Sequence, residues 1–446
     1  MRFLRPPYAI LLLLGLTALG PHRAAVAQEG PPPHVREAID AVLALLGSRD
    51  EAALDTFLTS AVSPAADRAA LRERLRTLRA GVHGPFDDVR VEAEPDGLRL
   101  ILTTAGAEHH LRLVLGPEGI TALQQLASPA PLHLSRDNLA ETFDRLEADG
   151  MAGVVFVQID GEVLLERAFG MAHEDLGIPN TLETVFGTGS RPIDYTVAAI
   201  HLLAQQGRIK LDDPITRYFD DVPADKQAIT IRHLLTGRSG LPDFFHTADD
   251  WDPDLAWIDR ATAERRLLAA ELRFPPGTDR QHSHAAFGLL AALVERVSGR
   301  PYYAFLREHF LDPAGMTRTG EYGETRGLTL ADFAAGSGPQ HVGLPNIPPN
   351  WGPTSWLIKG SGGMYSTLGD LRRFYAYVRS GAVLDEVHSA PFRGPMVQLD
   401  GSDRGFELFS LSRPPGTEVY LFVNRHIDRA TTARVMRALE RLAGTG

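Results

Sequence analysis

Apolar residues recur at two different periods along the first third of the chain. From Val35 to Leu46 they fall at Ile39, Val42, Leu43 and Leu46, from Ala52 to Phe57 a shorter pattern follows, and from Asp67 to Leu78 they fall at Leu71, Leu75 and Leu78. This spacing predicts three amphipathic helices. The period then drops to two in "DVRVEAE", "GLRLILTT", "HHLRLVLG" and "GITALQQL", interrupted by Asp96-Gly97, Gly106 and Gly116-Pro117. Alternation broken by turn residues predicts a strand meander. Helices followed by a meander indicate a small α+β domain over residues 34–128, of NTF2-like or similar type, with its helices on one sheet face. His109 and His110 are neighbours on one strand and so face opposite ways, which makes a paired metal site there a poor reading.

"ASPAPLHLSRDN" reads as the connection, with the linker at residues 129–138. Beyond it, "GVVFVQIDGEVLLERAFG" is two apolar runs joined through Asp160-Gly161, a hairpin signal. "EVYLFVN" near the other end is a further strand, and "ATTARVMRALERLAG" closes the chain as an amphipathic helix. A second domain, 139–446, is therefore expected to build its sheet from both of its ends around a helical middle.

Before the first helix, Arg2 and Arg5 precede a twelve-residue apolar run from Tyr8 to Leu19, and Ala25-Val26-Ala27 follows as an A-x-A pattern. This predicts a signal peptide over residues 1–27 and an exported protein, periplasmic or extracellular. The run is short for a membrane span. Cleavage there would remove three arginines and no acidic residue, taking the formal charge from −11 to −14. That balance argues against nucleic acid as a partner. The chain has no cysteine, which excludes disulfides, thiolate metal sites and cysteine nucleophiles.

In "FGTGSRPIDYTVAAIHLLAQQG", Gly187 and Gly189 allow a tight approach and Pro192 suits a first helical turn. Ile193, Val197, Ile200 and Ala204 form an apolar stripe that Gly207 ends. Ser190 thus stands at a helix N-terminus, where backbone N–H groups favour a developing oxyanion. A capping serine would look the same.

The surrounding segments decide between these. "GVVFVQIDGEVLLERAFGMAHEDLGIPNTLETVFGTGS", "QQGRIKLDDPITRYF", "ITIRHLLTGRSGLPDF", "FPPGTDRQHSHAAFGLLAALVERVSGRPYYAFLREHFLDPAGMTRT" and "GSGGMYSTLGDLRRF" occur in order. Together they resemble the serine β-lactamase, penicillin-binding-protein and esterase family. The resemblance implies an α+β, β-lactamase/transpeptidase-like fold: an antiparallel sheet flanked by helices, with a helical subdomain. It also implies Ser190 as nucleophile, and a small-molecule or peptide, cell-wall-like ligand.

Three motifs carry that family's chemistry, and each is altered. S-x-x-K reads Ser190-Arg191-Pro192-Ile193, so a hydrocarbon stands where the lysine would help deprotonate the serine. Arg191 stays protonated and is expected to point elsewhere on the turn. Y-x-N becomes His282-Ser283-His284. K-T-G or H-x-G becomes Leu399-Asp400-Gly401, after which the Ser402 N–H remains available to an oxyanion. His282, in the tyrosine's place, is the candidate base. His284, Gly401 and Ser402 are candidate substrate contacts, and Asp194 reads as a helix-start carboxylate. His282 and His284 share a face if extended, but without a third ligand nearby no metal is assigned, and no cofactor is implied. A general base contributes roughly 10²- to 10⁴-fold. The expectation from sequence is therefore a non-catalytic binding or regulatory module. The alternative is a divergent hydrolase using Ser190 and His282.

Overall fold

Each of the three N-terminal helical patterns forms a helix: α1 (Pro33–Leu46), α2 (Glu51–Ser60) and α3 (Arg68–Gly81). The computed structural model describes residues 11–13 and 33–444, except 87, 95–96, 105–106, 128–131, 340–341 and 403. Apart from Leu11–Leu13, the expected signal peptide and its lead-in lie outside the described residues. The cap of α2 is Asp50, whose carboxylate accepts from Ala52 N–H, and α3 is capped by Asp67 in the same way. Leu11–Leu13 (β1) runs parallel to β2 (Asp88–Glu94), and β3 (Gly97–Thr104), β4 (Ala107–Gly116) and β5 (Gly119–Leu126) continue as an antiparallel meander. Alternate strand residues such as Leu100, Leu102, Leu111 and Leu113 pack with Ile39, Val42, Leu54, Phe57 and Leu75 in one core. His110 is buried, while His109 is partly exposed and meets Thr104 Oγ1 at 2.9 Å.

The chain divides between residues 131 and 132 into two compact units. Residues 132–138, within the expected linker, already belong to the second, where Leu132 and Leu134 pack on the core.

That unit is built on a five-stranded antiparallel sheet in the order β13 (Met396–Ser402), β14 (Phe406–Arg413), β15 (Thr417–Arg425), β6 (Ala152–Ile159), β7 (Glu162–Phe169). The two ends of this unit meet where β15 pairs with β6. Both sheet faces are covered, which is why "VVFV" is apolar without alternation. Val154, Phe156, Leu408, Tyr420 and Phe422 face the main core. Val155, Val157, Leu411, Val419 and Leu421 face α4 (Leu139–Ala148) and α11 (Arg429–Leu442), packing on Phe143, Val435 and Leu439.

The helical side holds α5 (Pro192–Gln205), α6 (Ile231–Leu235), α7 (Arg260–Ala269), α8 (His284–Ser298), α9 (Tyr302–Leu306) and α10 (Leu368–Arg379). α5 and α8 are enclosed over most of their length, with Ala198, Ala199, Ile200, Ala286, Leu289 and Leu290 fully buried. Two small sheets complete the unit: β8 (Met171–His173) with β9 (Ile178–Pro179), and β10 (Phe186–Gly187), β12 (Met364–Ser366), β11 (Gly320–Glu321) in that order. This is the α+β, β-lactamase/transpeptidase-like architecture expected from the sequence.

Candidate active site

The approach to Ser190 is fixed from two sides. Thr188 donates its N–H and its hydroxyl to the Met364 carbonyl on β12, at 3.0 and 2.8 Å. Gly189, at φ +54°, then turns the chain so closely against β13 that a Cβ there would lie 2.4 Å from the Gly401 carbonyl oxygen and 2.8 Å from its nitrogen. Only glycine fits such a position. The helix cap is Arg191, which makes no side-chain capping bond, and α5 starts at Pro192. Ser190 is thus outside the helix, and its hydroxyl points to a different partner.

That partner is His284, whose Nε2 lies 3.0 Å from Ser190 Oγ. On the other side of the ring, His284 Nδ1 lies 2.7 Å from Asp243 Oδ1. Serine, imidazole and carboxylate form one hydrogen-bonded line. Local sequence explains how the ring is held. Ser283 is extended (φ −149°, ψ 109°) and caps α8, its hydroxyl accepting from Ala286 N–H and donating to the Pro242 carbonyl. The Asp243 carboxylate also accepts from the His284 N–H at 3.0 Å, and its carbonyl accepts from Ala285 N–H at 2.8 Å. Phe244 stacks on the imidazole with centroids 4.5 Å apart and planes 13° from parallel. Burial pushes the Asp243 carboxyl up, but the hydrogen bond and charge of His284 outweigh it and hold it below its ordinary range.

His282 lies beside this line rather than in it. Its ring meets that of His284 edge-on, centroids 4.6 Å apart, on the face that extended Ser283 gives both histidines. His282 is exposed, yet surrounding protein still desolvates its ring. That effect first, and the His284 charge second, lower its pKa. The imidazole bonded to Ser190 is therefore His284, which the sequence placed as a substrate contact, and not His282, which it placed as the base. The physical reason is the helix start. Residue 284 is the first of α8 and is anchored by Asp243, whereas residue 282 precedes the cap. Asp243 itself was not singled out from sequence. Its one signal is an acidic residue directly after "SGLP", 41 positions before its histidine.

Where the family motif would place an amine, Ile193 packs on the main core. Lys359 is committed elsewhere, 3.2 Å from Glu321. Arg191 does turn away from the serine, but into the protein. Its guanidinium is fully buried and paired with Asp400, with Gln398 and Tyr375 on its other nitrogen. Asp194 is more than a dipole partner. It accepts from the Tyr375 hydroxyl and, at 2.9 Å, from Gln398 Nε2. Along the edge strand β13, Gln398 and Asp400 point inward, Leu399 is 58% exposed, and Gly401 touches the turn at Gly189 that leads into Ser190. The Ser402 hydroxyl accepts from Arg404 N–H at the end of the same strand.

The family model described as Beta-lactamase matches residues 140–409. The chain belongs to the beta-lactamase family. It is 30% identical over 232 residues to the D-alanyl-D-alanine-carboxypeptidase/endopeptidase AmpH of Escherichia coli K12, an alignment covering 50% of this chain and 57% of AmpH. With esterase EstB of Burkholderia gladioli it shares 32% identity over 186 residues, 38% of this chain and 47% of EstB. The chain spans about half the length of these curated relatives. Among solved structures, FmtA from Staphylococcus aureus superposes with a TM-score of 0.56 at 17% identity, covering 72% of this chain and 90% of FmtA. At that identity the likeness is one of fold alone. In this beta-lactamase-family chain, Ser190, His284 and Asp243 form one hydrogen-bonded line.

Proposed function

We propose that this protein is a serine hydrolase in which a Ser190–His284–Asp243 triad takes the place of the lysine- and tyrosine-assisted chemistry of its family. The observation that carries the reading is the continuous line from Ser190 Oγ through both ring nitrogens of His284 to the Asp243 carboxylate, at 3.0 and 2.7 Å. Such a constellation is recognised by geometry and roles, not by fold or chain order.

Each member has a task. Asp243, held ionised, accepts the Nδ1–H of His284 and so keeps the lone pair on Nε2. Nε2 takes the Ser190 proton as Oγ attacks an ester, amide or lactam carbonyl. The N–H groups of Ser190 and Ser402, brought to one edge by the Gly189–Gly401 contact, stabilise the oxyanion. As the tetrahedral intermediate collapses, His284 returns the proton to the leaving group and an acyl-Ser190 remains. Water repeats the sequence, its proton going to His284 and then back to Ser190 Oγ, and the acid is released. The names of relatives such as the carboxypeptidase AmpH and the esterase EstB support an acyl carbonyl as substrate. The altered motifs favour a non-catalytic module only so long as no base reaches the serine. The hydrogen bond between Ser190 Oγ and His284 Nε2 supports an enzyme over that module. The reading includes export, which the pattern of residues 1–27 supports. No helix among the described residues is long and apolar enough to cross a membrane.

The test is hydrolysis of p-nitrophenyl acetate and butyrate by wild type and four variants. Ser190→Ala and His284→Gln should each lower kcat/KM by 10³-fold or more, and Asp243→Asn by roughly 10²- to 10⁴-fold. His282→Gln should stay within about threefold of wild type, since His282 performs no step. Hydrolysis that depends on His282 and ignores His284 would restore the dyad expected from sequence. Hydrolysis unaffected by Ser190→Ala would refute both.

A further inference from the structure

His282 has no part in the triad, yet its ring is set against the triad's histidine. One ligating atom each from Asp243, His282 and His284 lies within 4.8 Å of the others. The sequence offered only the two histidines. The fold supplies a third ligand from 41 positions upstream, and ties it to the helix that begins at His284. Two imidazoles and one carboxylate are a common ligand set for zinc. Bonds of about 2.1 Å at tetrahedral angles set such atoms roughly 3.4 Å apart. The cluster must therefore close by up to about 1.4 Å at its widest, and His282, exposed and outside the helix, is the ligand placed to make that movement. Its exposure also opens the site to solvent, so an ion can arrive and leave.

We propose that Asp243, His282 and His284 form a reversible binding site for a zinc-class divalent ion, and that occupation of this site switches the hydrolase off. The inference rests on His284 being the base for Ser190. A neutral imidazole has one nitrogen lone pair. An ion on Nε2 occupies the lone pair that would accept the serine proton. An ion on Nδ1 leaves the hydrogen on Nε2, which can then only donate, and it draws Asp243 out of its bond to the ring. Either arrangement removes the base, and no bond to substrate is involved. Ion and triad compete for one side chain, and His282 is the ligand that only the ion uses.

The experiment takes the full-length purified protein, stripped with EDTA, and titrates it with ZnCl2 by calorimetry while ester hydrolysis is followed in parallel. Wild type should take up one ion with micromolar or tighter affinity. His282→Gln should bind at least tenfold more weakly with an unchanged melting temperature, and Ser190→Ala should bind as wild type does. Hydrolysis by wild type should fall as the site fills, and His282→Gln should need at least tenfold more zinc for the same inhibition. No uptake by wild type, or equal uptake by wild type and His282→Gln, overturns the site. Uptake that leaves hydrolysis unchanged, or raises it, overturns the switch. Calorimetry reads the site even if no ester is hydrolysed. Failure of the hydrolase reading therefore appears as binding without activity in the stripped protein, and failure of this inference as activity without binding or activity that persists as the site fills.

Discussion

Arg191 shows how a single residue can rewrite a site. A fully buried guanidinium is costly unless paired. Burial opposes its charge, but Asp400, Tyr375 and Asp194 outweigh that and hold it protonated. The middle residue of Leu399-Asp400-Gly401 thus serves Arg191 rather than a substrate. Two carboxylates share this one cation, Asp194 being 3.6 Å from it. Burial, opposed by Arg191 and reinforced by Asp194, pushes the Asp400 pKa up to about 6. Between its ordinary value and 6 the folded protein holds a proton that the unfolded chain has released. Stability contributed by this group therefore falls as pH rises through that window. Asp400→Asn removes the effect. Urea unfolding at pH 4 and at pH 6.5 should show wild type losing about 2 kcal/mol relative to the variant, at 1.36 kcal/mol per pH unit. Parallel profiles would show that Asp400 does not titrate there.

At the scale of elements, the decisive contact is between the turn before α5 and the edge strand β13. Gly189 and Gly207 both have positive φ, +54° and +69°, but a Cβ at Gly207 would meet open space whereas one at Gly189 would strike the Gly401 backbone. An alanine at either position bears the left-handed penalty of about 1–2 kcal/mol. Only Gly189→Ala must also push β13 away from Ser190. Gly189→Ala should melt lower than Gly207→Ala and lose ester hydrolysis, while Gly207→Ala keeps it. Equal activity in the two would mean that the close approach of β13 is not needed for catalysis. The elements themselves were readable from sequence because their signals are local: the hairpin through Asp160-Gly161, the α5 stripe, and the apolar spacing of α1 and α3. The pairing of Arg191 with Asp400, 209 positions away, had no local signal.

Across the whole molecule, family resemblance indicated the fold and pointed to Ser190, and the apolar runs at both ends of the second unit anticipated a sheet built from both. The chemistry was less legible, because it depends on which of two histidines, two residues apart, faces the serine. Register put His282 in the tyrosine's place. The helix start, fixed by Ser283 and by the bonds to Asp243, turns His284 to the hydroxyl instead. Aligning motif with motif counts missing side chains and does not detect a substitute entering from another loop. Asp243, on the "SGLPDF" segment, is such a substitute.

In the proposed enzyme Ser190 is an activated nucleophile with His284 as its base. The most direct measurement of this is intact-protein and peptide mass spectrometry after exposure to a fluorophosphonate probe. One adduct is expected, on Ser190, formed at a rate that drops at least a hundredfold in His284→Gln and is unchanged in His282→Gln. A folded protein that stays unlabelled at Ser190, or one labelled equally fast without His284, would contradict it.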